Sequence, residues 1–464
     1  MAEKSSGGVS RRNLLKRTAA AVAGGGATMM GAGTAFGQAA AVQTGGGEKK
    51  MTGTKFRAYI RHKGGETSGV ETLTLRDIQS REVVIRSQAS QACYTIVAAL
   101  APALPPIPPV PGALPVPVNP ALNQAAIIGH GAVGIVEQVG SEVKRVKVGD
   151  RVIVPVTPQC GQCYNCLRGR ADACTAGVGR LVVPVADMQD GTPVFGTLGG
   201  FAELMVAWEE QTVPIKSNVP ADELSLLCCV MSVGLGLATR RMPVEPGSSV
   251  VVLGAGPLGL SAVQGARIQG AAQIIVVEPI KYRRDLAMKV GATATIDPNE
   301  VKGQDLINKV RIMTAHTESS FAGGRGPNPN AQGPDFVLEA VGGDRFTPKT
   351  EVSPDPTGVE SLQLAWTLCP AGGIVRTCGV GQPRAANVVF PAGQWANATK
   401  THLPGNFAGV NTLRDIPAFI RLIETKQFDA KSLVGKTFKL EQAKEALQAA
   451  ADRTTISSVI TSFT

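Results

Sequence analysis

The stretch Val250–Leu260, VVVLGAGPLGL, constrains the chain more than any other. Val250 to Leu253 is a short apolar, β-branched run of the kind a buried strand needs, and Gly254, Gly256 and Gly259 follow it as G-x-G-x-x-G before an apolar, helix-like segment. After a strand, the first glycine permits a tight turn and the second lets the backbone approach a pyrophosphate. The third lets the helix pack close, with its N-terminal dipole toward the phosphates. A second β-branched run, Ile274 to Val277, ends in Glu278, 24 positions after Gly254. A carboxylate there accepts a hydrogen bond from a ribose 2′-hydroxyl and repels a 2′-phosphate, so the pattern predicts NAD rather than NADP. Lys281, Arg283 and Arg284 lie close by and would favour the phosphate; Lys281 is expected beside the cofactor.

With 464 residues, 44% of them apolar, the chain is long enough for two or more domains with full cores. Four Tyr and three Trp leave little aromatic surface for stacking bases, and part of the net charge of +10 belongs to the N-terminus, so nucleic acid is not an expected partner. Ser10-Arg11-Arg12-Asn13-Leu14-Leu15-Lys16, followed by an Ala/Gly-rich run, resembles a twin-arginine export signal. Residues 1–41 are therefore expected to be a signal peptide with a cleavage site near Ala39 and Ala41. Its removal would take away Lys4, Arg11, Arg12, Lys16, Arg17 and Glu3, lowering the charge by four. The twin-arginine export machinery is then a partner, and the expected location is periplasmic or otherwise extracytoplasmic. No other segment is apolar and long enough to span a membrane.

From Thr54 to Ser87, apolar and polar residues alternate between glycine breaks, the pattern of short strands in a β-rich domain. Cys93-Tyr94-Thr95 and Gly129-His130 come next, and taken alone a buried thiol and a core histidine account for them. The strongest motif is Cys160, Cys163, Cys166 and Cys174, spaced C-x2-C-x2-C-x7-C in a polar loop. Four thiolates at that density suit a closed tetrahedral zinc site. Two disulfides within fifteen residues would strain the required geometry, and iron–sulfur ligation uses other spacings. Between these motifs, residues 101–120 form a Pro-rich, apolar insertion, either a stiff spacer or a wall over a pocket. Gly/Asn/Pro-rich loops at 322–334 and 348–359 read as surface excursions.

The order of Cys-x-Thr, Gly-His, four-cysteine loop, isolated cysteine and G-x-G-x-x-G resembles the zinc-dependent alcohol dehydrogenases of the medium-chain dehydrogenase/reductase family. VGDRVIV at 148–154, FGTLGGFAELMV at 195–206, GPDFVLEAVGG at 333–343 and GGIVRTCGVG at 372–381 support the likeness, which covers nearly all of 54–464. It implies an α/β fold: a GroES-like β-rich catalytic domain at 42–230, holding the insertion 101–120 and the zinc loop 160–174, and a Rossmann doubly wound nucleotide-binding domain at 231–406. Residues 407–464 would return to the catalytic domain.

The resemblance also implies two zincs per chain, NAD, an alcohol or aldehyde substrate and a homo-oligomer. Cys93, His130 and Cys229 fall on its three catalytic zinc ligands, with Cys228 spare, and Thr95 on the hydroxyl that passes the proton outward. Departures stand beside the matches. Ile96 and Gly131 replace acids that usually orient the ligands, Ala98 a relay histidine, Val233 a usual threonine, and Ser457-Ser458 a phosphate-binding arginine. A zinc-independent reductase of the same superfamily and a nucleotide-binding protein without turnover are the alternatives.

Overall fold

The computed structural model describes residues 50–65, 67–100, 124–176, 183–196, 198–315, 333–379, 388–405 and 407–463. The expected export signal, the Pro-rich insertion and most of the loop at 322–334 lie outside them.

The first lobe opens with β1 (Lys55–Arg61), β2 (Ser68–Leu75) and β3 (Glu82–Ala92), followed by β4 (Ala125–Ile127), β5 (Val133–Val139) and β6 (Arg151–Ile153). β7 (Pro184–Asp187), β8 (Pro193–Gly196), β9 (Leu204–Trp208) and β10 (Val213–Pro214) complete it. β1, β2, β7, β8 and β4 close into a small barrel, and β3 pairs antiparallel with both β5 and β9. Val83, Val84 and Ile85 are fully buried in succession because β3 is covered on both faces. Each such side chain contributes roughly 1.5–3 kcal/mol on burial. That anchoring makes the end of β3 a rigid place from which Cys93 emerges.

A mostly apolar helix, α1 (Val230–Thr239), links the lobes and is buried along nearly its whole length. Such a helix suits a core, not a surface. Its C-terminal carbonyls would be costly orphans there. Arg376, 1% exposed, satisfies them: Nη1 donates to Gly236 O (3.2 Å), Leu237 O and Arg240 O, and Nη2 to Ala408 O (3.1 Å). Burial lowers this guanidinium's pKa to about 10.

The second lobe runs β11 (Ser249–Leu253), α2 (Pro257–Ile268), β12 (Gln273–Val277), α3 (Lys281–Val290), β13 (Ala294–Ile296), α4 (Gly303–Met313), β14 (Phe336–Glu339), α5 (Val359–Leu368), β15 (Ile374–Thr377) and β16 (Thr401–Pro404). All pairs are parallel, in the order β13-β12-β11-β14-β15-β16. β11 is buried at every position, which is why Val250 to Leu253 run apolar without alternation. The order reverses between β11 and β14, the switch point at which such sheets hold ligands.

The chain then passes through α6 (Thr412–Glu424), β17 (Lys436–Lys439), α7 (Ala443–Ala451) and β18 (Ser458–Ser462). β18 pairs antiparallel with β3, setting Val459 opposite Gln91 and Ser458 opposite Ala92, so the last strand lies in the first lobe beside the exit of Cys93. Among the described residues, no single helix is long and apolar enough to cross a membrane.

Candidate metal centres and cofactor cleft

The four-cysteine loop folds as two N–H-to-sulfur knuckles. Cys163 N donates to Cys160 Sγ (3.2 Å), and Cys166 N donates to Cys163 Sγ (3.5 Å) at the start of the turn Tyr164–Leu167. Cys160 and Cys166 sulfurs lie 4.0 Å apart, and those of Cys163 and Cys174 3.9 Å. A tetrahedral zinc with Zn–S near 2.3 Å requires sulfurs about 3.8 Å apart, whereas a disulfide needs about 2.05 Å. The residues present fit the metal. Backbone donors hold the Cys163 thiol down to about 5, and burial pushes Cys174 up to about 12. An ion pair between Arg241 and Asp172 fastens the loop beyond the end of α1.

Cys93, His130 and Cys229 form the second cluster, every pair of ligand atoms lying within 4.8 Å. They arrive on three elements: the end of β3, the turn before β5, and the N-cap of α1. Cys229 Sγ lies 3.5 Å from Cys93 Sγ, and Thr95 Oγ1 lies 3.4 Å from Cys93 Sγ and 3.2 Å from His130 Nε2. Donation from Cys229, outweighing burial, holds the Cys93 thiol well below its ordinary value; the same bond and burial push Cys229 up. One proton shared by two buried sulfurs leaves a centre whose remaining charge demand a divalent cation meets. Two sulfurs and one imidazole leave a fourth tetrahedral position open. Cys228 is buried beside them, and burial pushes its thiol up as well.

The departures have visible causes. His130 Nδ1 is buried without a hydrogen-bond partner among the described residues. Gly131, at φ +90°, has no room for a side chain, since a Cβ would overlap the Val154 carbonyl oxygen. Ile96 packs instead into an apolar cluster that includes Val97 and Phe438.

Both Cys93 and Thr95 line a cleft of about 560 Å³ between the lobes, as do Gly254, Gly256 and Glu278. Gly254 takes φ +86°, and Gly259 must lack a side chain because a Cβ would strike Gly254 O. Gly256 is the N-cap of α2, with Pro257 in the first turn, so the helix N-terminus faces the cleft. Glu278, 3% exposed, accepts from Ala255 N (2.5 Å) and Ile280 N (3.0 Å), which fixes its carboxylate at the cleft wall. A dinucleotide fits this size and donor set.

Two expectations need correction, and one departure finds its place. Lys281 does not reach the cleft: its Nζ pairs with Asp285 at 2.7 Å on the exposed face of α3. A helix directs residues two apart to different sides, and Arg283 is the one that lines the cleft. Val233 is buried in α1, and the cleft-lining residue of that turn is Val230. The loop at 348–359 is no surface excursion. Val352, Ser353 and Asp355 line the cleft, and the segment from Asp344 onward straps one lobe to the other. Asp344 pairs with Arg453, Arg345 N donates to Tyr94 Oη (3.0 Å), and Lys349 pairs with Asp452 (3.1 Å).

Glu339 was legible only as the acid closing an apolar run, as Glu278 does. It is fully buried at the end of β14, where Oε1 accepts from Val341 N (2.9 Å), Gly342 N (3.1 Å) and Ser361 Oγ (2.9 Å), and Oε2 from Gly379 N (3.1 Å). Ser457 Oγ donates to Leu433 O (2.7 Å), and Ser458 Oγ is buried without a partner among the described residues.

Residues 79–217 match the family model described as alcohol dehydrogenase GroES-like domain, and residues 257–425 the one described as zinc-binding dehydrogenase. The chain is 27% identical over 417 residues to the NDMA-dependent alcohol dehydrogenase of Amycolatopsis methanolica, covering 88% of this chain and 98% of that protein. It is 32% identical over 269 residues to the S-(hydroxymethyl)glutathione dehydrogenase of Candida maltosa, covering 56% and 66% respectively. Among solved structures, the benzyl alcohol dehydrogenase of Acinetobacter calcoaceticus aligns with TM-score 0.69 at 24% identity, over 88% of this chain and 99% of that one. An alcohol dehydrogenase zinc-binding domain protein from Burkholderia ambifaria gives 0.70 at 24% identity, over 88% and 98%. These two show a shared fold.

Proposed function

From the premise that this chain belongs to the zinc-binding alcohol dehydrogenases of the medium-chain dehydrogenase/reductase family, we propose that it moves hydride between an alcohol or aldehyde and NAD held in the interlobe cleft. The observation that carries this reading is that Cys93, which converges with His130 and Cys229, lines the same cleft as the glycine loop. When bound, zinc at that trio supplies a Lewis acid with one open position, and NAD supplies the hydride acceptor. Thr95, beside the trio, takes the proton leaving the alcohol and passes it outward. Gly254 and Gly256 admit the pyrophosphate to the N-terminus of α2, and Glu278 accepts from the ribose and disfavours a 2′-phosphate. Cys160, Cys163, Cys166 and Cys174 hold a second zinc that ties the loop down.

We further propose that the mature protein is exported with its cofactor inside and keeps it through turnover, recycling it with a second substrate or an acceptor. The strap joining Asp344, Arg345 and Lys349 to the other lobe supports retention, and a relative that covers most of the chain is named for its dependence on NDMA. A homo-oligomer is the expected assembly. The test is a panel of primary alcohols assayed on metal-quantified mature protein, with NAD or an artificial electron acceptor. Zinc-dependent oxidation supports the reading. Nucleotide binding with no turnover on any alcohol sinks it in favour of a binding protein, and turnover untouched by zinc removal favours the zinc-independent reductase.

A further inference from the structure

Glu339 presents a buried carboxylate whose four hydrogen-bond partners are all neutral donors. Among the described residues no Lys, Arg or His forms an ion pair with it. All four donors, Val341, Gly342, Ser361 and Gly379, belong to residues lining the cleft. The carboxylate therefore sits just beneath the cleft wall where β14 and β15 end, across the switch point from the glycine loop and Glu278. Approach is close: a Cβ on Gly379 would overlap the carboxylate itself. A dinucleotide lying across the switch point directs its adenosine half over β12 and its other half toward β14 and β15. Backbone dipoles stabilise the charge but do not cancel it at a distance, and a buried charge is weakly screened by salt.

We propose that Glu339 is a positioning residue that biases the cleft toward the oxidised cofactor, resting on the reading of the cleft as a nicotinamide dinucleotide site. The nicotinamide ring is cationic when oxidised and neutral when reduced, so a fixed negative charge beneath the wall attracts the first and is nearly indifferent to the second. Electrostatic preference of this kind shifts the balance between the two forms without any contact to the reacting atoms. Its four bonds also hold the loops 341–342 and 379 at a fixed separation. Contact positioning alone would weaken both forms alike; charge makes the effect unequal.

The test is to strip the zinc-loaded full chain and Glu339→Gln of any nucleotide they carry and then to measure the Kd of NAD+ and of NADH separately, by quenching of protein fluorescence. The substitution keeps size and removes the charge. NAD+ binding should weaken about tenfold while NADH binding changes by less than about threefold, the scale on which one nearby charge moves an equilibrium. Equal weakening of both, or no change in either, overturns the proposal. Should Glu339→Gln fail to fold, Ser361→Ala removes one compensating donor and leaves the charge. It should shift the Kd ratio about twofold toward NAD+, and an unchanged or opposite ratio overturns the proposal. If the unaltered protein binds neither form, the cofactor reading itself fails, and this inference with it.

Discussion

Gly131 lies so close to Val154 that a side chain at 131 would overlap the Val154 carbonyl oxygen. The consequence falls on its neighbour His130, whose Nδ1 is buried without a partner among the described residues. An acid at 131, the usual orienting group in the resembled family, cannot be accommodated beside this strand. Gly131→Ala should therefore lower thermal stability by roughly 2 kcal/mol or more, from overlap and from a left-handed backbone that alanine resists. Gly131→Glu should yield no soluble protein. A thermal melt of the alanine variant at unchanged Tm contradicts this account.

Metal content should separate the two centres. Cys163→Ser should cost one zinc per chain and much of the stability, since a closed site contributes folding free energy. His130→Ala should leave the fold and the first zinc intact while abolishing alcohol oxidation. Elemental analysis beside a kinetic assay decides both.

The structural site should also bind metal in a pH-dependent way. Cys163, held down to about 5, is ionised at neutral pH, so its contribution is fully present above an ordinary thiol pKa and is lost as pH falls through about 5. Cys174, pushed up to about 12 by burial, must give up a proton to bind. Zinc uptake should release protons, and metal retention against a chromogenic chelator should fall steadily from about pH 8 to about pH 5. Retention independent of pH would argue against thiolate ligation.

Glu278→Ala should narrow the preference for NAD over NADP, because the carboxylate fixed by Ala255 N and Ile280 N no longer opposes a phosphate. Arg283, whose Nε donates to Tyr282 Oη (3.1 Å), lines the same cleft and would favour it. Steady-state kinetics with both cofactors measures the gap; preference for NADP in the unaltered protein would remove the premise.

Arg453→Ala should open the strap, because it strands the buried Asp344 carboxylate, and breaking such a pair costs roughly 3–5 kcal/mol. The release rate of NADH, followed by stopped-flow fluorescence, should rise at least about tenfold. Lys349→Ala, at a lysine 69% exposed, should change it little. Equal rates in all three proteins would deny the strap any part in retention.

Mature protein purified without added nucleotide and then denatured should release close to one equivalent of NAD(H). Less than about a tenth of an equivalent, with turnover strictly dependent on added NAD, would mark an ordinary exchanging dehydrogenase, because bound ligand persists without a free pool only when dissociation is slow.

What the sequence determined by itself was whatever depends on near neighbours in the chain. The four-cysteine loop spans fifteen residues, and its knuckles are local hydrogen bonds, so spacing alone indicated the metal and the donor set. The same holds for Gly254 and Gly259, whose turn and close approach belong to one strand–helix junction, and for Glu278 at the end of the next strand. Tertiary structure decided the rest. Cys93, His130 and Cys229 stand 37 and 99 positions apart in succession and meet because β3, the turn before β5 and α1 share one core. Lys281 was the cation expected beside the cofactor, and the rotation of α3 sent it to solvent and Arg283 to the cleft. The loop at 348–359 looked like any polar excursion until partners more than a hundred positions away in the chain, such as Arg453 and Asp452, drew the strap across the cleft. Arg376 and Glu339 gave no local sign of their roles, because a buried charge is explained only by the carbonyls or amides that distant segments bring to it.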